Sequence, residues 1–175
     1  HPTEYLNFCE FYHELKCKNV LEIGSYFGGN FYVMCKLSNP IGYKISIDCP
    51  TYQNVEVQSN LYVSYHRMKT FSENVHVINT DSHLNDTKNH VLSIIKDEKF
   101  DFIFIDGDHS YEGVKADLLH WLPQTKRAIC GHDYYIDEEI LKVHPHIEGV
   151  RRAVEEVIGI PDKVFQDLSW LKWLK

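Results

Sequence analysis

The stretch Phe100-Asp101-Phe102-Ile103-Phe104-Ile105-Asp106-Gly107-Asp108-His109 decides the fold. Its centre, Phe102-Ile103-Phe104-Ile105, is apolar at odd and even positions alike. A strand with one wet face alternates between apolar and polar residues. A strand with no polar face must be covered on both sides, as in a parallel sheet between two helical layers.

Working outward, β-branched runs over 19–23, 44–48, 75–80 and 126–130 read as four further strands. The strand starts lie roughly 25 to 30 residues apart, the length of a strand plus a crossover helix. The intervening segments have helical spacing. Val57, Leu61, Tyr65 and Met68 form one stripe, and Val114, Leu118, Trp121 and Leu122 form another, between a Ser110 cap and a stopping Pro123. Val150, Ala153, Val154, Val157 and Ile158 mark a third helix, and 2–16 a first one with Leu6, Cys9 and Tyr12/His13 on one face. Short runs at 163–167 and 170–174 are expected to close the sheet. The pattern predicts a Rossmann-like, doubly wound α/β sheet, mostly parallel, with helices on both faces in a single domain spanning 1–175.

Composition agrees. The chain has 175 residues, 43% hydrophobic and 25% charged, which suits one globular domain and excludes bulk disorder. No apolar run approaches about 18 residues and no basic segment leads into one, so neither a membrane span nor a signal peptide is expected. With 18 Lys and Arg against 25 Asp and Glu, the net charge of −7 disfavours a nucleic-acid partner. Cys9, Cys17, Cys35, Cys49 and Cys130 are scattered and odd in number, as reduced thiols of a cytoplasmic protein would be.

Open parallel sheets bind ligands beyond the carboxyl ends of their strands. At those ends the chain places Glu22-Ile23-Gly24-Ser25-Tyr26-Phe27-Gly28-Gly29-Asn30, then Asp48, Asp81-Ser82, Asp106-Gly107-Asp108-His109 and Gly131-His132-Asp133-Tyr134. The glycine spacing Gly24-x-x-x-Gly28 lacks the middle glycine of a dinucleotide loop. An acid at Glu22 ahead of it suits a cofactor with an amino-acid moiety, whose ammonium seeks a carboxylate. Asp48 is placed to accept ribose hydroxyls, and Asp81 with Ser82 to accept from an adenine amine. Taken singly, these are also what a ligand-free turn, a solvated loop acid and a helix cap look like.

Together the motifs resemble the class I S-adenosylmethionine-dependent methyltransferases. The glycine loop is similar to that of catechol-type O-methyltransferases. The stretch 100–117, with Asp117 at its end, and Gly131-His132-Asp133-Tyr134 resemble the methyltransferase-24 group, related to macrocin-type and cephalosporin-modifying enzymes. The resemblance implies seven strands in the order 3-2-1-4-5-7-6. It also implies S-adenosylmethionine as cofactor, with Glu22, Gly24, Ser25 and Asn30 at its methionine portion and Asp48 at its ribose. Asp81 and Ser82 would lie at the adenine, and Tyr26, Gly28, Asp106 and His109 complete the contacts. The acceptor implied is the hydroxyl of a small polar molecule such as a sugar, beneath a lid over 134–147, and a homodimer is expected.

Removing the hydroxyl proton needs a base or a metal. His109 is the expected base, oriented by Asp108, with Asp106 beside it. In related metal-dependent families the matching positions are Asp106, His132 and Asp133. Such a site takes one divalent ion, Mg²⁺ or, since imidazole replaces an acid at His132, a borderline ion such as Mn²⁺. His144-Pro145-His146 is a second, weaker metal spacing. The competing functions are a cofactor-binding module without turnover and a ribose 2′-O methyltransferase acting on RNA.

Overall fold

The computed structural model describes residues 2–49, 66–70, 72, 74–96, 98–135, 138–143, 148–165 and 169–175. The expected stripe through Val57, Leu61 and Tyr65 and the His144-Pro145-His146 spacing lie outside these residues, as do parts of 134–147.

The strands are β1 (Val20–Ile23), β2 (Lys44–Asp48), β3 (Val75–Asn79), β4 (Phe100–Ile105), β5 (Thr125–Gly131), β6 (Lys163–Phe165) and β7 (Ser169–Trp173). The helices are α1 (Pro2–Leu15), α2 (Gly29–Leu37), α3 (Asn85–Ile95), α4 (Tyr111–Trp121), α5 (Glu138–Val143) and α6 (Glu148–Ile158). One seven-stranded sheet runs β3-β2-β1-β4-β5-β7-β6, the expected order. The β1, β2, β3, β4 and β5 pairings are parallel. β7 runs antiparallel to both β5 and β6.

Strand alternation sorts the core into two layers. Leu21, Ile23, Ile103, Ile105 and Ile129 face one way and pack with Val91, Ile95, Val114, Leu118, Trp121 and Val154 from α3, α4 and α6. Val20, Phe102, Phe104, Ala128 and Cys130 face the other and meet Phe8, Tyr12 and Leu15 of α1 and Met34 of α2. The continuous apolar run Phe102–Ile105 is thereby explained: its even and odd residues serve opposite layers. Ser110 caps α4, accepting from the Gly113 amide at 3.1 Å, and the 3₁₀ turn Leu122–Gln124 comes next, at Pro123.

The first helix forms where expected, and Tyr12 and Cys9 of the expected face meet the core, but the face is rotated away from Leu6. Leu6 is 61% exposed, while Phe8, Tyr12 and Leu15 are buried. The larger aromatic surface won: Phe8 lies edge-on to Phe104 and Tyr12 edge-on to Phe102, with ring centroids 5.4 and 5.1 Å apart.

Candidate active site

The ends of β1, β4 and β5 are held side by side because strand pairing continues into the loops. The amides of Gly24, Asp106 and His132 donate to the carbonyls of Ile47, Ile23 and Ile105 at 2.8, 2.8 and 3.1 Å. Gly24 has φ +80°, and a Cβ there would strike the Asp106 carbonyl and the Gly107 backbone. Only glycine lets the first loop approach β4 this closely. Tyr26 is also left-handed, with φ 46°, and Gly28 leads into α2 with φ 79°.

Glu22 alternates onto the α1/α2 side of the sheet, the same side as Val20. It is fully buried, and its Oε1 accepts from Asn30 Nδ2 at 2.6 Å. Its Oε2 is buried without a hydrogen-bond partner among the described residues. Burial pushes its pKa well up, opposed by the Asn30 bond and reinforced by the charges of Asp106 and Asp48. A cationic group beside Oε2 would relieve that cost.

Asp48 grips the glycine loop. Its Oδ2 accepts from the amides of Ser25 and Tyr26 at 2.8 and 2.6 Å and from Ser25 Oγ at 3.3 Å. Oδ1 lies outside this grip and is the oxygen left for the ribose hydroxyls expected from sequence. Asp81 Oδ1 accepts from the His83 amide at 2.8 Å. Ser82 departs from expectation: its hydroxyl points inward and donates to Asp117 Oδ1 at 2.6 Å instead of facing a ligand.

The acids after β4 and β5 converge on one imidazole. His109 Nε2 lies 3.2 Å from Asp106 Oδ1, and its Nδ1 lies 2.9 Å from Asp133 Oδ2. Hydrogen bonding to Asp106 and then Asp133 pushes the His109 pKa up to about 10, so the ring is a cation at neutral pH. The expected near-neutral imidazole oriented by Asp108 is therefore corrected on both counts. Asp108 turns away to accept the Ser110 amide at 2.9 Å. Burial raises the Asp133 carboxyl, but hydrogen bonds from His109 and His132 outweigh it and hold the pKa well below the carboxylate range. His132 Nδ1 stands 3.1 Å from Asp133 Oδ1 and 3.9 Å from Asp106 Oδ1.

Asp106, His109 and Asp133 each offer a ligand atom, all within 4.8 Å of one another. His109 thus joins the two acids named for the metal, in the place expected for His132. Two carboxylates and an imidazole suit a borderline divalent ion.

Sequence reading missed the pair His83 and Asp117. His83 Nε2 lies 3.3 Å from the buried Asp117 Oδ1 and its Nδ1 3.4 Å from Asp81 Oδ1. The available signal was His83 itself, adjacent to Asp81-Ser82, together with an aspartate on the buried stripe of α4.

Residues 21–134 match the model of a family described as a methyltransferase domain. The chain belongs to that family. Its fold is that of S-adenosylmethionine-dependent O-methyltransferases of known structure. It resembles a Bacillus cereus O-methyltransferase solved with S-adenosylhomocysteine, with TM-score 0.72, 19% identity and coverage of 100% of this chain and 82% of that one. It also resembles TomG from Streptomyces achromogenes, an O-methyltransferase of tomaymycin synthesis solved with S-adenosylmethionine (TM-score 0.68, 13% identity, 99% and 80% coverage). CalS11, a TDP-rhamnose 3′-O-methyltransferase of calicheamicin biosynthesis, superposes with TM-score 0.66 at 14% identity, over 95% and 76% of the chains. A curated relative, the uncharacterized protein y4gI of Sinorhizobium fredii, is 26% identical over 133 residues, or 72% of this chain. The chain spans 14% of that relative's length. Among the described residues, no helix is long and apolar enough to cross a membrane.

Proposed function

We propose that this domain transfers a methyl group from S-adenosylmethionine to a hydroxyl of a small polar acceptor, a sugar being the first candidate. The observation that carries this reading is the convergence of Asp106, His109 and Asp133 beside the Gly24 loop, where a cofactor and an acceptor would meet. The likeness to a rhamnose methyltransferase supports the acceptor class.

Methyl transfer from a sulfonium is an in-line displacement, and orientation of the two reactants supplies roughly 7–11 kcal/mol of the acceleration. Glu22 receives the ammonium on Oε2, Asp48 a ribose hydroxyl on Oδ1, and the Gly24 loop brings the backbone close. The remaining task is the acceptor's proton. In the free protein His109 is already protonated by its two acids. An acceptor hydroxyl that engages Asp106 removes the first of those partners, so the imidazole's pKa falls toward its ordinary value of 6.5; the ring then releases its Nε2 proton to solvent before methyl transfer, and the vacated Nε2 accepts the hydroxyl proton as the methyl is transferred. Asp133 holds the ring through Nδ1 while Nε2 faces the exchange. In place of that base, a divalent ion would be held by Asp106, His109 and Asp133, with the imidazole neutral and serving as a ligand, and would lower the pKa of an acceptor oxygen when bound.

The test is methyl transfer from labelled S-adenosylmethionine to a panel of nucleotide sugars and free glycosides, by wild type and by His109→Ala. The expected result is turnover on at least one glycoside, reduced by about 10²–10⁴-fold in the variant. Undiminished turnover by the variant would remove His109 from the mechanism.

A further inference from the structure

We propose that Tyr5 is a positioning residue for the amino-acid end of the cofactor, so that the first turns of α1 form one wall of the methionine pocket. This role rests on the S-adenosylmethionine reading and extends it to a residue of a different element.

Alternation along β1 turns Glu22 toward the layer holding both α1 and α2. Asn30 stands in the first turn of α2 and reaches Glu22 Oε1 through its amide nitrogen at 2.6 Å. Its amide oxygen accepts from the Tyr5 hydroxyl at 3.3 Å, across 25 residues of chain. The directions of these bonds are linked. Burial, reinforced by the nearby Cys9 and Glu22, raises the Tyr5 pKa, so the phenol stays protonated and can serve as donor. A donor at Asn30 Oδ1 fixes the amide with its NH₂ toward Glu22. The Tyr5 ring is itself held: it stacks against the buried Phe8 at 6.3 Å between centroids.

Three side chains therefore form an ordered relay, Tyr5 to Asn30 to Glu22. It ends at Glu22 Oε2, a carboxylate oxygen that is buried and lacks a partner among the described residues. An acceptor aimed this way and desolvated suits an ammonium group. Removing the Tyr5 hydroxyl frees the Asn30 amide to rotate and loosens Glu22, with no change at Asp48, which holds the opposite side of the loop.

The test compares two ligands that share the adenosine and the thioether. S-adenosylhomocysteine carries the amino-acid tail, and 5′-methylthioadenosine does not. Dissociation constants of both are measured by calorimetry on wild type, Tyr5→Phe and Asn30→Ala. Tyr5→Phe is expected to weaken S-adenosylhomocysteine by about 3- to 10-fold, the worth of one hydrogen bond, and to leave methylthioadenosine within about two-fold. Asn30→Ala should enlarge the same selective loss. Equal weakening of both ligands by Tyr5→Phe would mean a merely structural role, and no change in either would show that Tyr5 is outside the pocket. Both results overturn the proposal alone. Wild type that binds neither ligand overturns the cofactor reading and this proposal with it.

Discussion

Replacing Asp117 by Asn changes one oxygen at a buried position, and its effect is calculable as a function of pH. Asp117 is fully buried and accepts the Ser82 hydroxyl on Oδ1, with His83 Nε2 3.3 Å from the same oxygen, at ion-pair distance. Its hydrogen bond is the main reason the His83 pKa rises to about 9. Burial works against it, and the charges of Asp117 and Asp81 add to it. A group whose pKa is raised by folding stabilises the folded state most when it is protonated in both states. The contribution is therefore complete below pH 6.5 and is lost as the pH climbs through 9. A rise from 6.5 to about 9 is worth about 3 kcal/mol at 1.36 kcal/mol per pH unit. The ring is 31% exposed and Asp81 retains a share in the variant, which reduces the Asp117 part to about 1–2 kcal/mol. Melts of wild type and Asp117→Asn at pH 6 and pH 9.5 measure it. The stability difference between the two proteins should shift by that amount, about 2–8 °C in relative Tm for a chain of this size, to the disadvantage of wild type at high pH. Other titrating groups, His109 included, contribute equally to both proteins and cancel. Parallel curves for wild type and variant would refute the assignment of the His83 charge to Asp117.

Gly24→Ala forces a Cβ into the Asp106 backbone at a left-handed φ, and should cost more than about 2 kcal/mol in denaturant unfolding together with all S-adenosylhomocysteine binding. Glu22→Gln removes a buried carboxylate whose second oxygen is unpaired, so Tm should hold or rise while affinity for S-adenosylhomocysteine falls at least about 10-fold. If Asp106, His109 and Asp133 hold a divalent ion, Mn²⁺ at about 100 times its Kd should stabilise wild type by about 2.7 kcal/mol and Asp106→Asn by far less. A flat melt with Mn²⁺ would remove the metal from the scheme.

The sheet was legible because burial on two faces leaves its mark in consecutive residues. The first five strands fall within one residue of the runs read from sequence, and β6 and the antiparallel β7 near the expected closing segments. The carboxyl edge was legible for the same reason: placing a strand also places the loop at its end, and with it Glu22, Asp48, Asp106 and Asp133. Side-chain partnerships were not. Ser82 finds Asp117 across 35 residues, Tyr5 finds Asn30 across 25, and His109 meets Asp133 from the neighbouring strand end. Local spacing carries no record of such meetings, because they depend on which rotamer the packed layers admit. The α1 face was legible at Tyr12 and Cys9 but not at Leu6, for a related reason: helical period alone does not rank Leu6 against Phe8, whereas the aromatic pockets offered by Phe102 and Phe104 do.

The position of β7 bears on how the molecule assembles. The last strand in the chain is an interior strand of the sheet, wedged between β5 and the earlier-made β6. During synthesis, β5 must wait with an open edge until Ser169–Trp173 emerges, and β6, although Phe165 packs on Phe8 and Phe11 of α1, has no strand to pair with before then. Gly131 meets Trp170 across that late pairing, next to the loop that carries His132 and Asp133. The reactive corner should therefore be among the last regions of this domain to become ordered, and loss of β7 should split the sheet instead of trimming its border.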